Sequence, residues 1–254
     1  MRLGKKKLPL EESLGVKIYK KPVKNHMYCM TVDVSEGLGL DSSTFVIIDC
    51  STVPYEVVAT YADANISQLM FPTLLSNVGK YYNDASILVE INIGSQVVNI
   101  LHQDLEYENV VMTRMTGKKG TNIGISGSQN RLGIRTTKTT KRIGCANLKT
   151  LVESDKILLN DFNIVNELST YIVDGTSYNA EDGHHDDLVM CLVLFSWMVS
   201  QNYFRDVSNT DIRRKIEEEG EEDFTPFGII DDGREDNLDG AAMTREQFER
   251  LLLN

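Results

Sequence analysis

The 254-residue sequence has no apolar run long enough to span a membrane. Such a span needs about 18 or more apolar residues in succession. The longest candidate, Leu188 to Val199, is interrupted by Ser196 and carries Trp197, so it reads as a buried helix. The leading stretch MRLGKKKLPLEE is basic but has no apolar core, which argues against a secretory leader. Cysteine is scarce. Cys29, Cys50, Cys145 and Cys191 form no CxxC pair, and three of them sit in apolar or strand-like contexts. They read as reduced core thiols of a cytosolic protein rather than disulfides or zinc ligands. No internal repeat is visible. What remains, 41% hydrophobic and 25% charged, is the composition of one large soluble domain with extensions.

Acidic residues are missing where basic ones collect. Between Asn109 and Val152 there is no Asp or Glu, while Arg114, Lys118, Lys119, Arg131, Arg135, Lys138, Lys141, Arg142 and Lys149 supply nine positive charges. The overall net charge of −11 would by itself argue against nucleic-acid binding, but it is an average over segregated segments. Residues 209–254 hold fourteen acids against six bases. A basic middle beside an acidic end is a field pattern that selects partners.

Three apolar, β-branched segments, 27–37, 43–52 and 55–63, are separated by short turns and predict an antiparallel meander. Residues 65–83 then show helical periodicity, with Asn65 or Ser67 as cap. A buried strand follows at 85–92, a helix at 95–105 capped by Ser95, and a strand at 109–115. Next come a Gly/Ser/Thr-rich loop, a helix at 140–156, a short strand end, a helical or mixed segment at 162–174, a loop, and a last helix over 184–201. Strands alternating with helices after a meander predict an α/β fold, a mixed sheet flanked by helices. The reading divides the chain into a lead-in stretch (1–25), a core domain (26–208) and an acidic extension (209–254), in which MTREQFERLLLN has an amphipathic pattern.

Three acids sit at matching addresses. Asp33 lies near the end of the first meander strand (MTVDVSEG), Glu90 near the end of a later strand (ILVEIN), and Asp186 and Asp187 open the last helix (HHDDLVMC). An acid at a strand end is often only a turn former, and Asp at a helix start only a cap. Buried carboxylates need a partner, however, and no base stands beside any of these in sequence. Hard oxygen donors of this kind suit Mg²⁺ or Mn²⁺. His184 and His185 read as loop or cap residues, and zinc lacks its usual His/Cys set.

The segments MTVDVSEGLGLDSSTFVIID, ILVEIN and GHHDDLVMCLVLF, in that order, resemble the ribonuclease H-like nuclease domain of the large terminase subunit of T-even-type tailed bacteriophages, over roughly residues 27–205. The resemblance implies a ribonuclease H-like fold and a metal-dependent endonuclease that cuts concatemeric double-stranded DNA during headful genome packaging in the host bacterial cytoplasm. It implies metal ligation by Asp33, Glu90 and one of Asp186 and Asp187, with Asp187 preferred and Asp174 as fallback. Glu36, Gly37 and Asp41 fall in the family's first motif as supporting residues. The implied partners are double-stranded DNA, a terminase ATPase domain, the small terminase subunit and the portal, with no membrane. No GxxxxGK[ST] occurs in this sequence, so the phosphate-cradling loop of the ATPase is missing and the nuclease portion alone is expected.

Two metal ions about 4 Å apart would serve in-line phosphodiester hydrolysis, with Asp33 as the bridging ligand. His184 or His185 could relay a proton or touch a phosphate. Arg114, Lys118, Lys119, Arg131, Arg135, Lys138, Lys141 and Arg142 are expected to track the DNA backbone with little sequence selectivity. The rival readings are a Holliday-junction resolvase or ribonuclease H-type enzyme with the same acids, and a non-catalytic DNA-binding or assembly module.

Overall fold

Two short strands, β1 (Glu11–Ser13) and β2 (Val16–Ile18), precede the expected meander. Leu14 and Gly15 join them at φ of 49° and 82°, the two-residue geometry that follows strand twist in a tight hairpin. The meander itself is β3 (Tyr28–Asp33), β4 (Ser43–Asp49) and β5 (Tyr55–Asp63), each antiparallel to the next. β2 pairs with β5, Val16 opposite Tyr61, so part of the expected lead-in stretch is a sheet edge. The alternation Val-Lys-Ile accounts for it: Val16 and Ile18 are fully buried. The computed structural model describes residues 7–36, 41–115, 121–123, 130–175, 177–201 and 204. The acidic stretch 209–254 lies outside these residues.

Helix α1 (Phe71–Tyr81) leads to β6 (Ser86–Val89), which runs parallel to β3. The helix begins later than its periodicity suggests. Ser67 closes a preceding turn, accepting the Met70 N–H on its hydroxyl (3.3 Å) and the Phe71 N–H on its carbonyl (3.0 Å). Pro72 then occupies the first helical turn, where a missing N–H leaves nothing unpaired. Helix α2 (Ser95–Asn99) continues as a wide turn over Ile100–Asp104 and is capped by Gly94 rather than Ser95. A side chain at Gly94 would collide with the Glu90 carbonyl.

Residues 109–111 run beside β6, with Ile87 N–H donating to Asn109 O and Val111 N–H to Ile87 O, both 2.8 Å. The chain then leaves the main sheet. β7 (Met112–Met115), β8 (Thr121–Ile123) and β9 (Asn130–Leu132) form a separate antiparallel ribbon in the order β8-β7-β9, where the sequence suggested a strand and a loop. Ile134 returns to β6, its N–H donating to Val89 O and its carbonyl accepting from Ile91 N–H, both 2.8 Å.

Helix α3 (Lys138–Glu153) starts at a capping box between Thr137 and Thr140. β10 (Ile157–Leu158) pairs parallel with β5, and α4 (Phe162–Ser169) follows. The segment read as helical or mixed to residue 174 changes type at Thr170: β11 (Tyr171–Asp174) and β12 (Ser177–Ala180) form a hairpin. Tyr-Ile-Val favours strand, and the hairpin turns directly after Asp174, which pairs with Ser177, at Gly175 with φ 56°. The last helix is α5 (Asp187–Val199).

The main sheet has the order β1-β2-β5-β4-β3-β6, with β10 beside β5. Along β3, Tyr28, Met30 and Val32 enter a core shared with α1 and α2. Cys29 enters the opposite core, built on α5, α3 and α4. Every residue of α5 from Leu188 to Met198 is buried, the condition for a helix apolar on all sides. All four cysteines are free and buried. Among the described residues no helix is long and apolar enough to cross a membrane.

α3 approaches α5 closely at Gly144, where an added Cβ would lie 2.5 Å from the Val193 carbonyl oxygen. Gly144→Ala gains up to about 1 kcal/mol in helix propensity, but overpacking against backbone costs about 1–3 kcal/mol. The variant is therefore expected to be net destabilised, with a lower urea midpoint. A higher midpoint would show that the helix pair can part without penalty.

Candidate active site

Strand parity brings the acids together. Asp33 ends β3 on the Cys29 and Thr31 side, toward α5. β6 runs parallel with Val89 beside Val32, and Glu90 N–H donates to Val32 O at 2.9 Å. Glu90 therefore stands next to Asp33, on the side of Leu88, which packs in the α5 core. α5 covers the same face. Its first residue, Asp187, is tied to the start of β4: Thr44 Oγ1 donates to Asp187 O (3.1 Å), and Ser42 N–H donates to Asp187 Oδ2 (3.0 Å). Thr44 is the cross-strand partner of Asp33.

Asp33, Glu36, Asp41, Asp186 and Asp187 line a cleft of about 300 Å³ together with Val34, Ser35, Ser42 and Ile93. Glu90 flanks it, its Oε2 accepting the Asn92 N–H at 3.0 Å. Burial holds Asp33 well above the usual carboxylate range, and Glu90, Asp187 and Asp186 push it the same way. Burial also raises Asp187, against the opposing Ser42 N–H, and raises Glu90, against Thr136, Asn92 and Arg135. Two cations engage the rim: Arg135 acts on Glu90, and Lys141 Nζ lies 3.7 Å from Asp186 Oδ2.

Carboxylates that resist ionisation together are short of positive charge. All the donors are hard oxygens, so the set fits Mg²⁺ or Mn²⁺. Among the described residues no three His, Cys, Asp or Glu side chains close on a single point. The nearby thiol of Cys191 is committed to Thr44, 3.3 Å away. His184 and His185 are exposed in the loop before α5.

The other expected residues divide clearly. Asp174 is exposed at the end of β11, beside Asn179 Nδ2 at 3.3 Å, and is not among the cleft residues. Arg114 and Arg131 lie on the ribbon, Arg135 just past its return to β6, and Lys138, Lys141 and Arg142 in the first turns of α3. All of these are exposed except half-buried Lys141. Gly37, Lys118 and Lys119 lie outside the described residues.

Sequence reasoning missed Glu167 on α4. Its Oε2 accepts the Val189 N–H at 3.0 Å, and its carboxylate faces the first turn of α5. Burial, with Asp187 and Asp186 nearby, pushes it up to about 7. A signal was present: Glu167 shares the helical stripe of buried Ile164 and partly buried Leu168.

A meander followed by a parallel strand, with acids gathered at one end beneath the last helix, defines a ribonuclease H-like domain. The model of the family described as the terminase RNaseH-like domain matches residues 30–198, and the chain belongs to that family. Solved structures agree in fold. The large terminase nuclease from thermophilic phage G20c is 19% identical, with a TM-score of 0.57 over 76% of this chain and 92% of that one. The same nuclease with bound magnesium gives 18% and 0.55, over 74% and 90%. The Thermus phage P74-26 large terminase nuclease domain gives 18% and 0.54, over 74% and 87%.

The raised acids set a pH dependence. Their folded-state values exceed the unfolded ones, so the folded chain holds protons that the unfolded chain has lost. In EDTA, the stability these four acids contribute is expected to be greatest below about pH 4, near the unfolded carboxylate values. It should decline as pH rises to about 7, where Glu167 ionises. Asp33→Asn should raise the metal-free Tm at pH 8 by about 2–4 °C, on the order of 1 kcal/mol. Melts of both chains in EDTA at pH 5 and pH 8 check this, and a lower Tm for the variant at pH 8 would contradict the repulsion account.

Proposed function

We propose that this chain is a metal-dependent endonuclease that cuts concatemeric double-stranded DNA during headful viral genome packaging, as the nuclease part of a T-even-type large terminase acting in the infected bacterial cytoplasm. The observation that carries this reading is the meeting of Asp33, Glu90 and Asp187 at one end of the sheet in a member of the terminase RNaseH-like family. A magnesium-bound structure of a large terminase nuclease of the same fold supports the choice of metal.

Asp33, Glu90 and Asp187 are the proposed ligands, with Asp33 between the other two. Two Mg²⁺ or Mn²⁺ ions held there would supply Lewis-acid stabilisation of the phosphodiester and a more acidic attacking water. The Ser42 N–H and Thr44 hydroxyl fix Asp187 on the cleft side. The Asn92 N–H orients Glu90. Asp186 is engaged by Lys141, which leaves Asp187 as the better third ligand.

The duplex backbone is proposed to lie along Arg114, Arg131, Arg135, Lys138 and Arg142, with Lys141 at the inner edge. The ribbon leaves and rejoins the sheet beside β6, and α3 reaches Asp186, so this basic band borders the cleft on two sides. Contacts of this type are to phosphates and give affinity without sequence selectivity. The proposed working partners are a terminase ATPase domain, the small terminase subunit and the portal.

Asp33→Asn, Glu90→Gln and Asp187→Asn should each retain the fold and lose more than about 100-fold of Mg²⁺-dependent plasmid cleavage, the upper loss expected for outer-shell partners. Wild-type rates in Asp33→Asn would remove the site assignment. Preference for branched DNA or an RNA–DNA hybrid over plain duplex would favour a resolvase or ribonuclease H activity. Charge reversal at Lys138, Lys141 and Arg142 together should weaken duplex binding and flatten the log K against log salt slope by about 2–3. An unchanged slope would take this patch out of the interface.

A further inference from the structure

We infer that Glu167 is a positioning residue for the metal site, capping α5 from another helix so that Asp186 and Asp187 are free to face the cleft. The inference rests on the metal reading of that cleft. A helix beginning Asp186–Asp187 would ordinarily cap itself, a carboxylate turning back onto the N–H groups of its first turn. Here neither does. Asp186 makes no capping bond, and Lys141 engages its side chain. The Asp187 carboxylate turns outward to the Ser42 N–H, 145 residues away.

Among the N–H groups left behind is that of Val189, in an otherwise buried helix, and Glu167 takes it at 3.0 Å. Its own helix is anchored to the sheet. Asp161 caps α4 through the Asn163 N–H (2.8 Å) and accepts a 2.5 Å hydrogen bond from Thr60 Oγ1 on β5. A rigid path therefore runs from β5 through α4 and Glu167 to the start of α5. Without Glu167 the unpaired Val189 N–H would compete for Asp186 or Asp187 and draw a carboxylate away from Asp33. Capping needs only an acceptor oxygen, so glutamine serves as well as glutamate.

The test compares wild type, Glu167→Ala and Glu167→Gln in the full chain. Mn²⁺ binding is measured by calorimetry without DNA, and the Mn²⁺ dependence of plasmid cleavage in parallel. Glu167→Ala is expected to bind Mn²⁺ about 10–100-fold more weakly, as for loss of an outer-shell partner, and to regain cleavage at high Mn²⁺. Glu167→Gln should stay within about twofold of wild type in both, since the role is hydrogen-bond acceptance. Wild-type affinity in Glu167→Ala would reduce Glu167 to a structural cap and overturn the inference. Loss of binding in a folded Glu167→Gln would make Glu167 a ligand and overturn it equally. If the alanine form does not fold, Glu167→Met, which keeps the side-chain length without an acceptor oxygen, takes its place with the same expected loss and the same overturning result. A wild-type chain that binds no Mn²⁺ would overturn the metal reading itself, an outcome distinct from the other two.

Discussion

Repulsion among carboxylates in a half-buried cleft is the constraint on which this structure turns. Asp33, Glu90, Asp186 and Asp187 are forced together by strand parity and by the placement of α5, and each added acid makes the ionisation of Asp33 harder. Lys141, Arg135 and the Ser42 N–H offset only part of that strain. The apolar layers on both faces of the sheet hold the acids in place. α5 is apolar on every side, so it stays enclosed between the sheet and α3 and α4, and its first residue is delivered to the cleft. The energy that assembles the site comes from burying the rest of that helix.

The charge pattern takes on meaning only in three dimensions. Along the chain, the acid-free basic window and the acids are separate blocks. In the fold, the window begins where residues 109–111 run along the edge of β6, returns to that edge at Ile134 opposite Glu90, and continues into α3. α3 then brings Lys141 to Asp186. The two charge types lie on different elements of the fold, the acids along the sheet end and the bases on a ribbon and helix beside it, so the field changes sign over a short distance.

Much of the architecture could be read from local periodicity. The meander, the parallel strand after a helix and the enclosed last helix all carry patterns of period two, of period 3.6 or of unbroken apolarity. The misreadings occurred where two signals competed. Tyr171–Asp174 continues a helical register but carries β-branched residues and is followed by a glycine turn at Gly175, and the turn prevails. Val16 and Ile18 are too short a pattern to stand alone, and they become strand only because β5 offers an edge. The ribbon β8-β7-β9 is Gly- and Thr-rich sequence whose pairing partners are one another.

By itself the sequence determined which acids lie at element ends, that Asp33 shares the side of β3 taken by Cys29 and Thr31, and that no base stands beside these acids along the chain. Those properties depend on side-chain alternation and composition, which act over a few residues. The tertiary structure alone decided that Asp187 enters the cleft while Asp174 stays outside it, that Lys141 meets Asp186, and that Glu167 caps α5. Each of these depends on pairings between residues distant in the chain, such as the Ser42 N–H with the Asp187 carboxylate or Glu167 with Val189. Such pairings exist only once the sheet register and the packing of α3, α4 and α5 have brought those groups within hydrogen-bonding distance.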